Sequence, residues 1–249
     1  MDLTDYRNNE TEKLRVSDLM NLVPNGLETV LDVGARDGHL SKELANYLLK
    51  VTALDLDLPV IDHPQVKCIK GDATAMEFAD RAFDIVFCAE VLEHIPSIML
   101  PKACMEIERV AKSHILIGVP YKQDTRHGRT TCRSCGANNP PWGHVNEFDE
   151  KSLKQLFPAF DIVRVSYVGE AEMGTNFLSA FLMNKAGNPY GTYHQEEPCV
   201  HCGIKLEEPP ARTLNQKIMT KVGHYARRVQ SVFHRKHANW IHVLFKRTT

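Results

Sequence analysis

The sequence predicts an α/β fold: a doubly wound sheet of seven strands, mostly parallel, covered by helices on both faces and interrupted by insertions. Three observations predict it. From residue 30 to residue 120, apolar strand-like runs alternate with segments of helical apolar spacing, the pattern of parallel strands joined by crossover helices. The first strand runs into Gly34-Ala-Arg-Asp-Gly38, a glycine turn opening a helix, where open sheets cradle nucleotide-like ligands. The next two strands end on Asp55 and Asp72, at the carboxyl edge where such sheets bind.

The elements follow in order. A polar helix is expected over about residues 11–22. Val30 to Val33 reads as a buried strand, with Leu40, Leu44 and Leu48 at helical spacing behind it. VTALDLD (51–57), VKCIKGD (66–72) and FDIVFCAE (83–90) are the second to fourth strands, and Cys88 inside the last is a core residue. Met99 to Ala111 reads as a helix with Leu100, Ala103, Ile107 and Val110 inward; SHILIGVP (113–120) is the fifth strand, ended by Pro120. EKSLKQLF is a helix and FDIVRVSYV (160–168) the sixth strand. NWIHVLFKR (239–247) alternates like an edge strand and is expected beside FDIVRVSYV as an antiparallel last strand. Residues 121–145 and 171–212, rich in Gly, Pro, Asn, His and paired cysteines, are insertions. Beyond them Leu214, Ile218, Val222, Tyr225, Val229 and Val232 make one apolar helical stripe, with Lys217, Lys221, Arg227 and Arg228 elsewhere around the helix. The expected organisation is a helical segment (1–28), a core (29–125), a first insertion (126–144), core again (145–170), a second insertion with the basic helix (171–237) and a last strand (238–249).

Bulk composition excludes several classes. The 249 residues suffice for a full core, and no run of roughly 18 apolar residues suggests a membrane span. The polar, acidic start shows no secretion signal, so a cytoplasmic location is expected. The near-neutral net charge of -1 hides an asymmetry, because residues 211–249 carry nine Lys or Arg and no acid. That segment suits packing on an acidic body, or contact with an anionic partner such as a membrane surface or RNA. Aromatic residues are sparse in its basic helix, with Tyr225 and Phe233 the candidates for base stacking, so nucleic acid is not favoured.

In a dinucleotide site the second glycine of G-x-G-x-x-G lets the backbone approach a pyrophosphate. Here that position is Arg36, whose side chain would obstruct a pyrophosphate but not a cofactor without phosphates. Asp55, about 20 residues on, can accept hydrogen bonds from two ribose hydroxyls; the bland alternative makes Asp55 and Asp72 turn or helix-capping residues. The turn and FDIVFCAEVLEHIP (83–96) resemble the class I S-adenosylmethionine-dependent methyltransferases, small-molecule type, although the usual third glycine of the motif differs. The resemblance implies a Rossmann-like methyltransferase fold and S-adenosylmethionine as cofactor. It places Asp32, Gly34, Ala35, Arg36, Gly38, Asp55, Leu56, Asp72, Ala73 and Glu90 around that cofactor, with Asp72 beside the adenine amino group.

Glu90, Glu93 and His94 leave the fourth strand together, and His144 precedes a later helix start. Two carboxylates and two imidazoles suit a divalent ion. The pattern is similar to that of metal-assisted O-methyltransferases of ubiquinone biosynthesis and of small-RNA 2'-hydroxyl ends; a metal-free histidine base and a purely structural role are the alternatives. CRSCG (132–136) and CVHCG (199–203) are two C-x-x-C-G turns, so Cys132, Cys135, Cys199 and Cys202 are expected to hold a structural zinc. The function expected is O-methyl transfer to a small-molecule, sugar or glycan-precursor hydroxyl. RNA 2'-O-methylation, or a non-catalytic zinc-binding protein of the same fold, stand as alternatives.

Overall fold

A computed structural model describes residue 7 and residues 9–48, 50–171, 174–230 and 237–248. Val232 and Phe233 lie outside the described residues. The chain divides into two units: one of Asp2–Tyr121, Phe148–Gly169 and Ala238–Thr249, the other of Lys122–Glu147 and Glu170–His237.

The first unit holds the sheet. Its elements are α1 (Glu10–Leu22), β1 (Thr29–Val33), α2 (His39–Ala45), β2 (Lys50–Asp55), β3 (Val66–Lys70), β4 (Phe83–Ala89), α3 (Leu100–Val110) and β5 (Ala111–Pro120). After the first insertion come α4 (Glu150–Leu156) and β8 (Phe160–Val168), and after the second β9 (Trp240–Arg247). The strand order is β3-β2-β1-β4-β5-β9-β8, with β9 antiparallel to both neighbours and the rest of the order parallel.

Both faces of this sheet are covered, which explains why its strands read as unbroken apolar runs. Side chains alternate between two clusters: Leu31, Val86, Cys88, Ile115 and Ile117 pack with α3 and α4, while Val30, Ile85, Phe87 and Leu116 pack with α1 and α2. Cys88 is core, as expected, and burial drives its thiol well above the ordinary range. Helix α2 is shorter than its leucine spacing predicts, since Leu48 is buried from the turn after it.

One expectation needs correction. β9 does lie antiparallel beside β8, but it is not an edge: it is inserted between β5 and β8, with Pro120 opposite Trp240 at one end and His114 opposite Lys246 at the other. The chain re-enters where β5 finishes, so the strand has to run backwards. Ile241 to Phe245 are buried in succession, including the polar His242, and this removes the burial alternation that an edge strand shows. β8 is the true edge, and Val163, Val165 and Tyr167 on one of its faces are exposed. His242 is tolerated because its Nδ1 lies 2.6 Å from Asp18 Oδ2 of α1; burial holds the imidazole neutral despite that carboxylate, so Nδ1–H donates.

The amino end of the sheet is tied by Asp84. Its Oδ2 accepts from the amides of Glu28 and Thr29 and from Thr29 Oγ1, each at 3.0–3.1 Å, and its Oδ1 meets Lys112 Nζ at 3.0 Å. Burial opposes the charge, but Lys112 and these donors outweigh it and hold the carboxyl at about 2. A depressed carboxyl contributes stability above its unfolded value and loses it as pH falls. We therefore predict that Asp84→Asn costs about 1–2 kcal/mol at neutral pH in urea unfolding, and that the difference from wild type fades between about pH 4 and pH 2. A difference that stays constant across that window would contradict this role.

Candidate functional site

The carboxyl edge of the first unit begins at the turn after β1. Gly34 (φ 79°) and Gly38 (φ 78°) both occupy the left-handed region that only glycine enters without strain. A Cβ on Gly34 would lie 2.2 Å from Val91 Cγ2, and one on Gly38 2.3 Å from Ile61 Cγ1. The turn is drawn to β2 by the amides of Gly34 and Ala35, which donate to Leu54 O at 2.8 and 3.1 Å. Arg36, also left-handed at φ 48°, donates its amide to Asp55 Oδ2 at 2.8 Å, and its side chain is exposed. Gly38 then caps α2, leaving that helix's first amides facing the edge.

The other residues assigned to the cofactor divide by exposure. Asp55 is half-buried; besides Arg36 it accepts weakly from Asp57 N at 3.4 Å, which leaves lone pairs for a ligand. Leu56 and Asp72 are exposed, and Ala73 is half-buried beside the core. Asp72 closes a local turn by accepting from Thr74 N at 2.7 Å, the capping role of the bland alternative. Asp32 is shut away: Ser41 Oγ donates to its Oδ2 at 2.5 Å, and burial, with the Asp55 charge adding to it, pushes its carboxyl up to about 7. It braces α2 against β1.

At the end of β4, Glu90 turns the chain through a left-handed conformation (φ 57°) with its amide on Gly118 O. The Glu90 carboxylate meets the indole of Trp240, and Arg15 Nη1 lies 3.9 Å from its Oε1; burial still raises its pKa. Arg15 is itself fixed by two hydrogen bonds to Glu12, at 2.6 and 2.7 Å, inside α1. Sequence reasoning missed this network of Glu12, Arg15 and Trp240, although an acid and a base three residues apart in a polar helix were its signal. Glu93 is fully buried, and neither carboxylate oxygen meets a donor from another residue. Burial first, and then the Glu90 charge, push its carboxyl well above the usual range. A ligand atom of Glu93 lies within 4.8 Å of a His94 ring nitrogen, and Glu90 is not part of that group. Glu90, expected as a fellow ligand, meets Trp240 and Arg15 and is not among the atoms grouped with Glu93.

The second unit is built from β6 (Thr130–Thr131), β7 (Asn138–Asn139), a short 3-10 turn (Pro141–Gly143), α5 (Phe177–Lys185) and α6 (Leu214–Gln230). His144, buried, follows the 3-10 turn with its Nδ1 2.6 Å from Gln123 Oε1. The two cysteine turns are built alike. Cys132 N donates to Ala137 O and Gly136 N to Cys132 O; likewise Cys199 N to Ile204 O and Gly203 N to Cys199 O, all at 2.8–2.9 Å. Gly136 and Gly203 are left-handed (φ 74° and 71°) in open space, so the conformation alone demands glycine.

Cys132 Sγ lies 3.7 Å from Cys202 Sγ, Cys135 Sγ lies 3.8 Å from Cys199 Sγ, and all four sulfurs fall within 4.8 Å of one another. These are not bonded distances. A tetrahedron with metal–sulfur bonds of about 2.3 Å has edges of about 3.8 Å, so the donor set fits zinc. The amides of Cys135 and Ser134, against some burial, draw the Cys132 thiol down to about 7. The Ile204 amide pulls Cys202 the same way, but burial and its sulfur neighbours raise it to about 12. Asn139 Oδ1, buried, accepts from Val200 N at 2.7 Å and joins the two turns, a link no sequence pattern announced.

Residues 31–116 match the family described as "Methyltransferase domain". An uncharacterized methyltransferase of Mycobacterium tuberculosis is 36% identical over 81 residues, covering 30% of this chain and 41% of that protein. The demethylmenaquinone methyltransferase of Renibacterium salmoninarum is 37% identical over 102 residues, covering 39% and 41%. The chain thus spans about two fifths of the length of these curated relatives. The N-methyltransferase NodS from Bradyrhizobium japonicum, solved with S-adenosyl-L-homocysteine, superposes with a TM-score of 0.57 at 13% identity, over 100% of this chain and 93% of NodS. Residues 31–116 are thus similar to a methyltransferase domain, and the seven-stranded sheet that holds them has the fold of the solved N-methyltransferase.

Proposed function

We propose that this chain is an S-adenosylmethionine-dependent methyltransferase acting on a hydroxyl oxygen of a small molecule or sugar, with a zinc ion holding the two cysteine turns of its second unit. The observation that carries the cofactor assignment is the β1 turn: two left-handed glycines with no room for a Cβ, drawn onto Leu54 and Asp55. That turn presents backbone amides and one carboxylate, which suits a ribose and an amino-acid tail, and Arg36 stands where a dinucleotide motif has its second glycine. The methyltransferase-domain match supports the same reading. A relative named for demethylmenaquinone supports a small-molecule acceptor. The free state of all seven cysteines fits a reducing, cytoplasmic location.

When bound, S-adenosylmethionine supplies an electrophilic methyl on a sulfonium. The chain's part is to place it and to accept a proton. Gly34, Gly38 and Asp55 orient the nucleoside, and Ala35, Arg36, Leu56, Asp72 and Ala73 border it. Asp32 keeps the turn rigid from beneath. His94 takes the proton of the acceptor hydroxyl as its oxygen attacks, and Glu93, with a carboxylate oxygen within 4.8 Å of the imidazole, positions it. Glu90 acts from behind, its charge raising the proton affinity of Glu93. The same donors, a carboxylate and an imidazole, suit a divalent ion, for which His144 is the further ligand offered by the sequence.

Two outcomes are expected. Glu93→Gln lowers methyl transfer to a hydroxyl-compound library by about 10²–10⁴-fold without changing affinity for S-adenosylhomocysteine; undiminished turnover removes Glu93 from the chemistry. Loss of turnover on chelation, restored by Mg²⁺ or Mn²⁺, selects the metal-assisted form, and full turnover after chelation the metal-free one. For the cysteine site, purified protein is expected to carry about one zinc per chain. Cys132→Ser should release it and lower the melting temperature. Zinc-free protein of unchanged stability would discard that site.

A further inference from the structure

Two readings of helix α6 stood open, packing on the body and contact with an anionic partner, and the helix leaves its apolar stripe exposed. Its packed side is built from small or polar residues. Thr220 and Gly223 are buried; a Cβ on Gly223 would meet Leu182, Met183 and Ser179 of α5 at 3.4 Å, and Ala226 O accepts from Asn176 Nδ2 at 2.8 Å. This is a close helix-to-helix approach that excludes the large side chains. Those side chains, Leu214, Ile218, Val222, Tyr225 and Val229, are each 48–74% exposed. They recur at the spacing of one helical face, turned away from the α5 contact. The neighbouring α5 also exposes Phe177 and Phe181, stacked at 6.3 Å, with Lys185 Nζ over the Phe181 ring.

The charge around the stripe identifies what covers it. Leu214–Gln230 contains four Lys or Arg and no acid. On a helix of 3.6 residues per turn, Lys217, Lys221 and Arg228 fall along one flank of the apolar face. Long basic side chains beside an apolar stripe lay their stems on hydrocarbon and raise their charges to phosphate level. We propose that this face of α6 docks the protein on an anionic phospholipid surface, lying in the headgroup plane without crossing it; among the described residues no helix is long and apolar enough to cross. A single-stranded RNA partner would need stacking aromatics on this face, and Tyr225 is the one the described helix supplies. The inference is independent of methyl transfer and survives the failure of that assignment.

The test is vesicle flotation with the full chain, comparing phosphatidylcholine mixed with phosphatidylglycerol against phosphatidylcholine alone. Flotation with the anionic vesicles, weakened by salt, is expected. Lys217→Gln with Lys221→Gln should lower partitioning about five-fold per charge. Ile218→Ser with Val222→Ser should lower it at least about ten-fold with all charges kept. Both pairs are exposed, and an unchanged melting temperature verifies folding. No flotation, equal binding to neutral vesicles, or flotation indifferent to the serine pair overturns the proposal. So does RNA binding without vesicle binding, or a dimer in sedimentation that the serine pair dissolves while vesicles remain unbound.

Discussion

One carboxylate holds the carboxyl edge of the sheet together. Asp55, at the end of β2, accepts the Arg36 amide and so pins the turn that ends β1, while the Gly34 and Ala35 amides hold the same turn to Leu54. The turn has no slack: Gly34 is closed by Val91 and Gly38 by Ile61. Because Val91 belongs to the segment that carries Glu90, Glu93 and His94, the β1 turn and the acidic segment are packed as one piece. Their spacing is a property of the core rather than of mobile loops.

The parallel core was legible because its strands are buried on both faces and carry no ambiguity of side. The turn was legible because glycine leaves a signature where backbone must approach something closely. β9 misled because five consecutive buried positions, one of them His242, look like alternation when the polar residue is counted as solvent-facing. Its partner Asp18 lies 224 residues away, and no local pattern predicts that pairing. Glu90 was placed with Glu93 and His94 because the three leave β4 together and because their pattern is similar to that of metal-assisted O-methyltransferases. Its left-handed φ and its contact with the indole of Trp240 had no local signal.

The second unit teaches a related lesson. The C-x-x-C-G turns were readable because hydrogen bonding to a thiolate imposes one local geometry, which the two turns repeat. The apolar periodicity of α6 was equally readable, but periodicity says which residues share a face and not what meets that face. Gly223 and Ala226, inconspicuous in the sequence, turned out to be the packed side.

The central claim is that the β1 turn receives a nucleoside without a diphosphate. Calorimetry with S-adenosylhomocysteine tests it most directly. The account predicts saturable binding at one site, lost in Asp55→Ala, and no competing heat from nicotinamide dinucleotides. Absence of binding to S-adenosylhomocysteine, with a dinucleotide saturating the folded protein instead, would contradict it.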